Sequence, residues 1–558
     1  MMKKLLLLQL LLVCTVVRAD ITLPPLISDD MLLQRSQAAV WGKADPNETV
    51  VVELGGISAK ATADKDGSWR VKLNGLNPGL AGTMTIAGKN TITLQNVTVG
   101  DVWVCSGQSN MSMWVGPVTT PGAWRGYKGV VNFEKEISSA QFPQIRMFQA
   151  VPTMSETPVD EVQGQWKVCT PENVKTWSAV GYFFARQLHQ DLGIPIGMIH
   201  SSWGGTSAQD WTPSAVIEGD PALKEAYFDP WQTAVASYPA QHEAYEKALP
   251  AWREAVAAAK QAGTAIPREP YKPLEPFKPG MEQPGHFPTP AVLGTPGAIY
   301  NAMISGATKY PIKGAIWFQG ESNSWDKIPC YDRLISAMVD SWRKAWGQGD
   351  FPFYIVQLAN YQARRPEPAD SNFALLRDFQ RKISLVVPNS GLAVAIDIGD
   401  EKDIHPANKQ EVGRRLALVA EAKTYGKNLV YSGPFFDSAE FDAAKAKITF
   451  KPGSALGLKT QDGGPIKGFA IAGEDKKFAW AEAQIVAVGP GAEETLVLSS
   501  AQIPKPVAVR YAWASNPEVN LVNNAGLPAV PFRTDDWPKT ESSAVAPAPT
   551  PAANIPGK

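Results

Sequence analysis

Three rhythms of apolar and polar residues follow one another along the 558-residue chain, and each predicts a different kind of element. Over residues 20–100 apolar positions recur with period two in short runs, at 49–54, 69–73 and 91–94. The turn-forming stretches Asp45-Pro46-Asn47, Asp64-Lys65-Asp66-Gly67 and Asn77-Pro78-Gly79 separate them. This pattern predicts a small N-terminal β-sandwich module. From residue 101 short apolar runs (102–105, 196–200, 314–318, 353–358 and 392–397) alternate with segments of helical period (178–190, 331–346, 373–384 and 408–425). Such alternation predicts a parallel sheet covered by helices on both faces, an α/β domain over 101–426. The scheme breaks over 212–298, where 222–262 is Ala-, Glu- and Lys-rich with helical character and 267–290 is punctuated by prolines that cannot enter a sheet core. An insertion is expected there, as a lid, a wall of a substrate cleft or an inert decoration. Period two returns over 427–537, with strands expected at 447–450, 478–481, 484–488, 495–498 and 507–513, so a C-terminal β-module is predicted. The Ala-, Pro- and Ser-rich end, 538–558, is expected to be disordered.

The first residues change the picture of where the protein works. Lys3 and Lys4 precede an unbroken apolar run over 5–13 and then Val17-Arg18-Ala19, the layout of a secretory signal peptide over 1–19. The run is shorter than the roughly 20 residues a membrane span requires. A periplasmic or secreted protein is expected, with no membrane insertion after cleavage. A formal net charge of -1 lacks the basic footprint of nucleic-acid binding. Cys105, Cys169 and Cys330 have no metal-type spacing and are expected as buried free thiols. The acidic run over 397–403 has no second ligand cluster beside it, and neither a metal nor another cofactor is expected.

In a doubly wound sheet ligands bind beyond the carboxyl ends of the strands, so the segments following the apolar runs are the ones to compare. Four share a character: Gly107-Gln108-Ser109-Asn110, Trp203-Gly204-Gly205-Thr206, Gln319-Gly320-Glu321-Ser322-Asn323, and Asp400-Glu401-Lys402-Asp403-Ile404-His405-Pro406. Together they offer a hydroxyl, approachable backbone N–H groups, amides, carboxylates and an imidazole, the inventory of serine-based acyl transfer. Of the five histidines, at 189, 200, 242, 286 and 405, only His405 combines a crevice position with a nearby acid. His200, at a strand end, reads equally well as structural. Met111 stands where a Gly-x-Ser-x-Gly elbow requires glycine, which disfavours the ordinary α/β-hydrolase fold.

Taken as an ordered set, Cys105-Ser106-Gly107-Gln108-Ser109-Asn110-Met111, Ser202-Trp203-Gly204-Gly205-Thr206, Ile299-Tyr300-Asn301-Ala302-Met303-Ile304, Trp317-Phe318-Gln319-Gly320-Glu321-Ser322-Asn323 and Asp403-Ile404-His405-Pro406 resemble the sialate O-acetylesterase type of the SGNH hydrolase superfamily. The resemblance runs from the first β-module to about residue 513. It implies an SGNH-type, flavodoxin-like catalytic domain and a Ser-His-Asp triad of Ser109, His405 and Asp403 acting through an acetyl-enzyme. It also implies an oxyanion hole of the Ser109 N–H, Gly204 (with Gly205 adjacent) and the amide of Gln319, with Asn323 as its substitute. The chain departs from the superfamily's usual acid position, three before the histidine, where Lys402 stands; Asp403 is preferred over Asp400. Trp114, Trp203, Trp211 and Trp325 are expected to face sugar rings. The expected substrate is an O-acetylated oligo- or polysaccharide such as hemicellulose. The alternatives are a sialate 9-O-acetylesterase and, from another class, a non-catalytic carbohydrate-binding protein.

Overall fold

The computed structural model describes residues 20–118, 127–278, 292–324, 330–487 and 494–538. The expected signal peptide, the tail from 539 onward, His286 and Trp325 lie outside the described residues. The central layer is built from β1 (Thr91–Gly107), β2 (Phe142–Ala150), β3 (Gly164–Cys169), β4 (Ile196–Ser202), β5 (Gly314–Phe318), β6 (Phe353–Val356) and β7 (Ser390–Ala393). Their order across the sheet is β7-β6-β5-β1-β4-β2-β3. The strands β1, β4 and β5 to β7 are buried along the lengths that pair in this layer, which is why they read as continuous apolar runs instead of alternating ones. The 314–318 run is strand from end to end, whereas β7 begins two residues before the expected 392 and ends at Ala393.

Two strands escape the periodicity. Phe142–Ala150 mixes polar and apolar residues, and Gly164–Cys169 is only half buried, as befits the strand at a sheet edge. β2 pairs with β4 in parallel, but β3 runs antiparallel to β2, so the wholly parallel sheet expected from the sequence is corrected at this edge.

The covering helices are α1 (Ala179–Leu192), α2 (Asp229–Ala262), α3 (Tyr331–Trp346), α4 (Asn372–Val386) and α5 (Lys409–Lys423). α1 packs on α5, and α3 on α4. Polar side chains start three of them: Ser178, Ser371 and Asn408 accept from the N–H groups of Gly181, Ala374 and Glu411. Because Asn408 caps α5, the helix begins after His405-Pro406, and His405 stays in the loop that precedes it. Within the expected insertion, α2 is a single 34-residue helix.

β1 is a single 17-residue strand. Its first half pairs with Ala81–Ala87 and Leu32–Gln34, and its second half lies between β4 and β5, so the expected boundary at residue 100 falls within one strand. The fully buried Asp101 carboxylate joins the parts, accepting from Gln34, Arg35 and the Tyr425 hydroxyl. At the other end two four-stranded antiparallel sheets follow α5. Arg377, wholly buried on α4, donates to the carbonyls of Leu358, Ala359, Ala514 and Ser515 and so ties them to the α/β layer.

Candidate active site

The crevice lies where β1 ends between β4 and β5. Gly107 pairs with Ser202 on one side and Phe318 on the other, and the chain then turns away sharply. Gln108 donates its backbone N–H to the Phe318 carbonyl (3.0 Å), the Trp203 N–H donates to the Gly107 carbonyl (3.1 Å), and Ser109–Ser112 makes one helical turn. Gly107 has φ +137°, and a Cβ there would stand 2.1 Å from the Phe318 carbonyl oxygen. Only glycine fits, and this is what presents Ser109 at the strand end.

The loop after β7 meets that serine. Ser109 Oγ and His405 Nε2 are 3.0 Å apart, and His405 Nδ1 is 3.2 Å from Asp403 Oδ1. The same carboxylate oxygen accepts the His405 backbone N–H at 2.9 Å. Burial pushes the Asp403 carboxyl upward, but the hydrogen bonds from the His405 ring and backbone outweigh it and hold it below its ordinary value. Asp400 serves differently: its Oδ1 accepts the N–H groups of Lys402 (2.7 Å) and Asp403 (3.1 Å), which shapes the loop. Tyr127, whose hydroxyl donates to the Trp114 carbonyl, is raised by burial and then by the neighbouring Asp403 charge.

The segment after β4 supplies glycines of opposite character. Gly204 is buried, while Gly205 is exposed with φ +71° and turns the chain. His200 is structural: its Nε2 is 2.6 Å from Ser202 Oγ, which in turn is 2.7 Å from Ser112 Oγ, and burial lowers the imidazole to about 4.

Several expected residues stand otherwise than the sequence suggested. Gln319 is fully buried; its Nε2 donates to Asn323 Oδ1 (2.7 Å) and the Thr206 carbonyl (3.4 Å), and its Oε1 accepts from Tyr331 (2.8 Å). Both amide hydrogens are engaged, so Gln319 is corrected from an available oxyanion donor to a brace of its own loop. Asn323 is also tied in, donating to Gln209 and accepting the Ala208 N–H. Trp211 is fully buried with its indole N–H on Thr206 Oγ1 and its ring edge-on to Trp317, and Trp203 is 3% exposed. Neither can present a face to a sugar. Trp114 is half-buried beside the crevice.

Other residues complete the site without having been singled out. Gln108 accepts the N–H groups of Gly320 (3.3 Å) and Ser322 (3.0 Å), and its Nε2 lies 3.5 Å from Ser109 Oγ. Asn110 donates to Glu321 Oε1 and to the Ile404 carbonyl (3.1 Å), and its Oδ1 accepts from Lys409. Asn110 and Glu321 stood within the quoted blocks; Lys409, on α5, carried no sequence signal. A cavity of about 970 Å³ adjoins the loop after β5, walled by Ser207, Gln209, Tyr227, Trp231, Leu293 and Asn323 among others. Among the described residues no group of three or more His, Cys, Asp and Glu side chains is arranged to hold a metal, and no helix is long and apolar enough to cross a membrane.

A hydroxyl, an imidazole and a carboxylate in line at a strand-end crevice are groups suited to ester hydrolysis, and the chain resembles known esterases. Residues 290–421 match the family described as carbohydrate esterase, sialic acid-specific acetylesterase. The sialate O-acetylesterase of Mus musculus is 30% identical over 91% of this chain and 93% of its own length, and that of Homo sapiens is 29% identical over 93% and 94%. A carbohydrate acetylesterase from Xanthomonas citri superposes with a TM-score of 0.72 at 33% identity, covering 93% of this chain and 100% of that one. The chain therefore belongs to the sialate O-acetylesterase family and is a carbohydrate acetylesterase, a carboxylic ester hydrolase.

Proposed function

We propose that the protein is an exported serine esterase that removes O-acetyl groups from neutral oligo- or polysaccharides, hemicellulose among them, through a Ser109-His405-Asp403 triad. The contacts Ser109 Oγ to His405 Nε2 and His405 Nδ1 to Asp403 carry the reading. His405 takes the Ser109 proton as Oγ attacks the acetyl carbonyl. The oxyanion that forms accepts from the backbone N–H groups of Ser109 and Gly204. As the carbonyl re-forms, the C–O bond to the sugar breaks and His405 returns the proton to the leaving hydroxyl. Water, deprotonated by the same imidazole, then releases acetate and restores Ser109. The burial of Gly204 at the crevice, against the exposure of Gly205, supports Gly204 as donor. The strand order β4-β1-β5-β6-β7 supports the SGNH, flavodoxin-like assignment, with β2 and β3 as an added hairpin. The basic-then-apolar leader ending in Val17-Arg18-Ala19 supports export.

Asp403 is expected to matter more than Asp400. Asp403→Ala should lower kcat for p-nitrophenyl acetate by on the order of a hundredfold or more, since it leaves the imidazole without its orienting partner. Asp400→Ala should have the smaller effect, acting through the loop alone; unchanged turnover in the first and loss in the second would reverse the assignment.

The cavity beside the 319–324 loop supports a neutral sugar chain. Tyr227 and Trp231 contribute aromatic surface, and among its described lining residues there is no Lys or Arg to neutralise a sialic carboxylate, while Glu225 would repel one. The curated relatives named as sialate O-acetylesterases favour the second reading, a sialate 9-O-acetylesterase. Acetate release from acetylated xylan, acetylated xyloglucan and 9-O-acetyl sialic acid separates the two. The neutral polysaccharides should be the better substrates, and a preference for the sialic ester would overturn the first reading.

A further inference from the structure

Behind the proposed triad, one buried amide joins four parts of the chain. Asn110 follows Ser109 in the nucleophile turn, donates to Glu321 in the loop after β5, donates to the carbonyl of Ile404 immediately before His405, and accepts from Lys409 on α5. Asn110, Glu321 and Lys409 are 1%, 4% and 0% exposed. Glu321 Oε2 is buried without a hydrogen-bond partner among the described residues, and Lys409 Nζ stands 5.4 Å from the centroid of the Phe318 ring, a position that suits a cation. Two opposite charges buried this deeply and relayed through one side chain have little reason to persist unless they fix something. What they border is the line from Ser109 to His405.

We propose that Asn110 is a positioning residue, clamped between Glu321 and Lys409, which locks the nucleophile turn to the His405 loop. This rests on the triad reading and extends it. Asn110 touches no reacting atom: it acts by holding the Ile404 carbonyl, and with it the approach of the imidazole, against the turn that carries Ser109. His405 is faced by Asp403 from its own loop, and the Asp403 charge is felt in turn by Tyr127 and Tyr361; Glu321 is faced by Tyr331. Burial raises the Glu321 carboxyl and lowers the Lys409 ammonium to about 7, the directions expected for charges held away from water.

The test is the split between kcat and KM on p-nitrophenyl acetate for the full chain, read beside a thermal melt. Asn110→Leu should lower kcat on the order of tenfold to a hundredfold with KM nearly unchanged, because a misplacement of about 1 Å is that costly to catalysis. Glu321→Gln or Lys409→Met alone leaves one buried charge uncompensated and can impair folding. The double variant Glu321→Gln/Lys409→Met removes both charges, should fold, and should show the same loss of kcat at nearly unchanged KM, because Asn110 is no longer held from either side. A fall in kcat without a change in KM is a signature that mere support of the fold would not produce. Unaltered kcat in Asn110→Leu, or a KM that rises as kcat falls, would overturn the clamp. Ser109→Ala is assayed alongside: turnover that survives it sinks the triad, whereas loss there with unaltered kcat in Asn110→Leu sinks the clamp alone.

Discussion

Ser109→Ala should lower hydrolysis of p-nitrophenyl acetate by on the order of ten-thousandfold or more, while the melting temperature and the binding of acetylated oligosaccharide stay close to those of the unmodified protein. The expectation follows from how little else the hydroxyl does. Its neighbours are His405 Nε2 at 3.0 Å and Gln108 Nε2 at 3.5 Å, both of which have other means of orientation: His405 through Asp403, and Gln108 through the N–H groups of Gly320 and Ser322. Removing one oxygen from a 7% exposed side chain at a crevice leaves a gap that water can fill. What remains is the polarisation of the carbonyl by backbone N–H groups, which accounts for the residual rate. Measured kcat and a thermal melt decide it together. Hydrolysis at the unmodified rate with sugar binding retained would instead point to a sugar-binding protein whose esterase chemistry lies elsewhere.

Gly107→Ala is the second large effect, and it acts through the backbone. The added Cβ would lie 2.1 Å from the Phe318 carbonyl oxygen and 2.7 Å from its carbon, and neither atom can swing aside as the end of a flexible side chain could. β1 and β5 would have to part at the point where Gln108 N–H meets Phe318, one residue before Ser109. The φ of +137° adds strain for any L side chain. Overpacking and strain together should cost about 2–5 kcal/mol, and the shift of Ser109 relative to His405 should lower kcat on the order of a hundredfold. A melt and a turnover assay on the purified variant check both parts. A protein with the parent's melting temperature and kcat would mean that the strand end can open freely, and the account of how Ser109 is presented would fail.

Much of the central layer was legible because burial on both faces makes a strand read as a continuous apolar word, as 314–318 does, and because α3 carries its apolar stripe between recognisable ends. β2 and the edge strand β3 were not, since a half-solvated strand with Pro143, Gln144 and Arg146 in it resembles a loop. β1 was read as two short strands because Gln95 and Asn96 interrupt the apolar run at a bulge in its pairing with Ala81–Ala87. At the site, the spacing of blocks brought Ser109, His405 and Asp403 to notice, and the three meet. Tryptophan faces misled: composition cannot tell an indole that stacks on a sugar from one whose N–H is engaged inside, as that of Trp211 is by Thr206. Gln319 misled for a similar reason, since a glutamine in a crevice block says nothing of which neighbours already hold its amide. Lys409 was silent because a lysine early in a helix reads as solvated, and only the packing of α5 against the Ser109 turn takes it out of water.

The strand that delivers Ser109 begins far from it, and this has a consequence for what counts as one unit. Asp101 is held by Gln34 and Arg35 from the N-terminal module and by Tyr425 from the end of α5, while the Tyr310 hydroxyl reaches back to the Leu32 carbonyl. A chain severed at residue 100 would begin in the middle of a strand, with the carboxylate of Asp101 stripped of its donors Gln34 and Arg35. Heredity could exchange the first hundred residues of this protein only by exchanging the spine of its esterase with them.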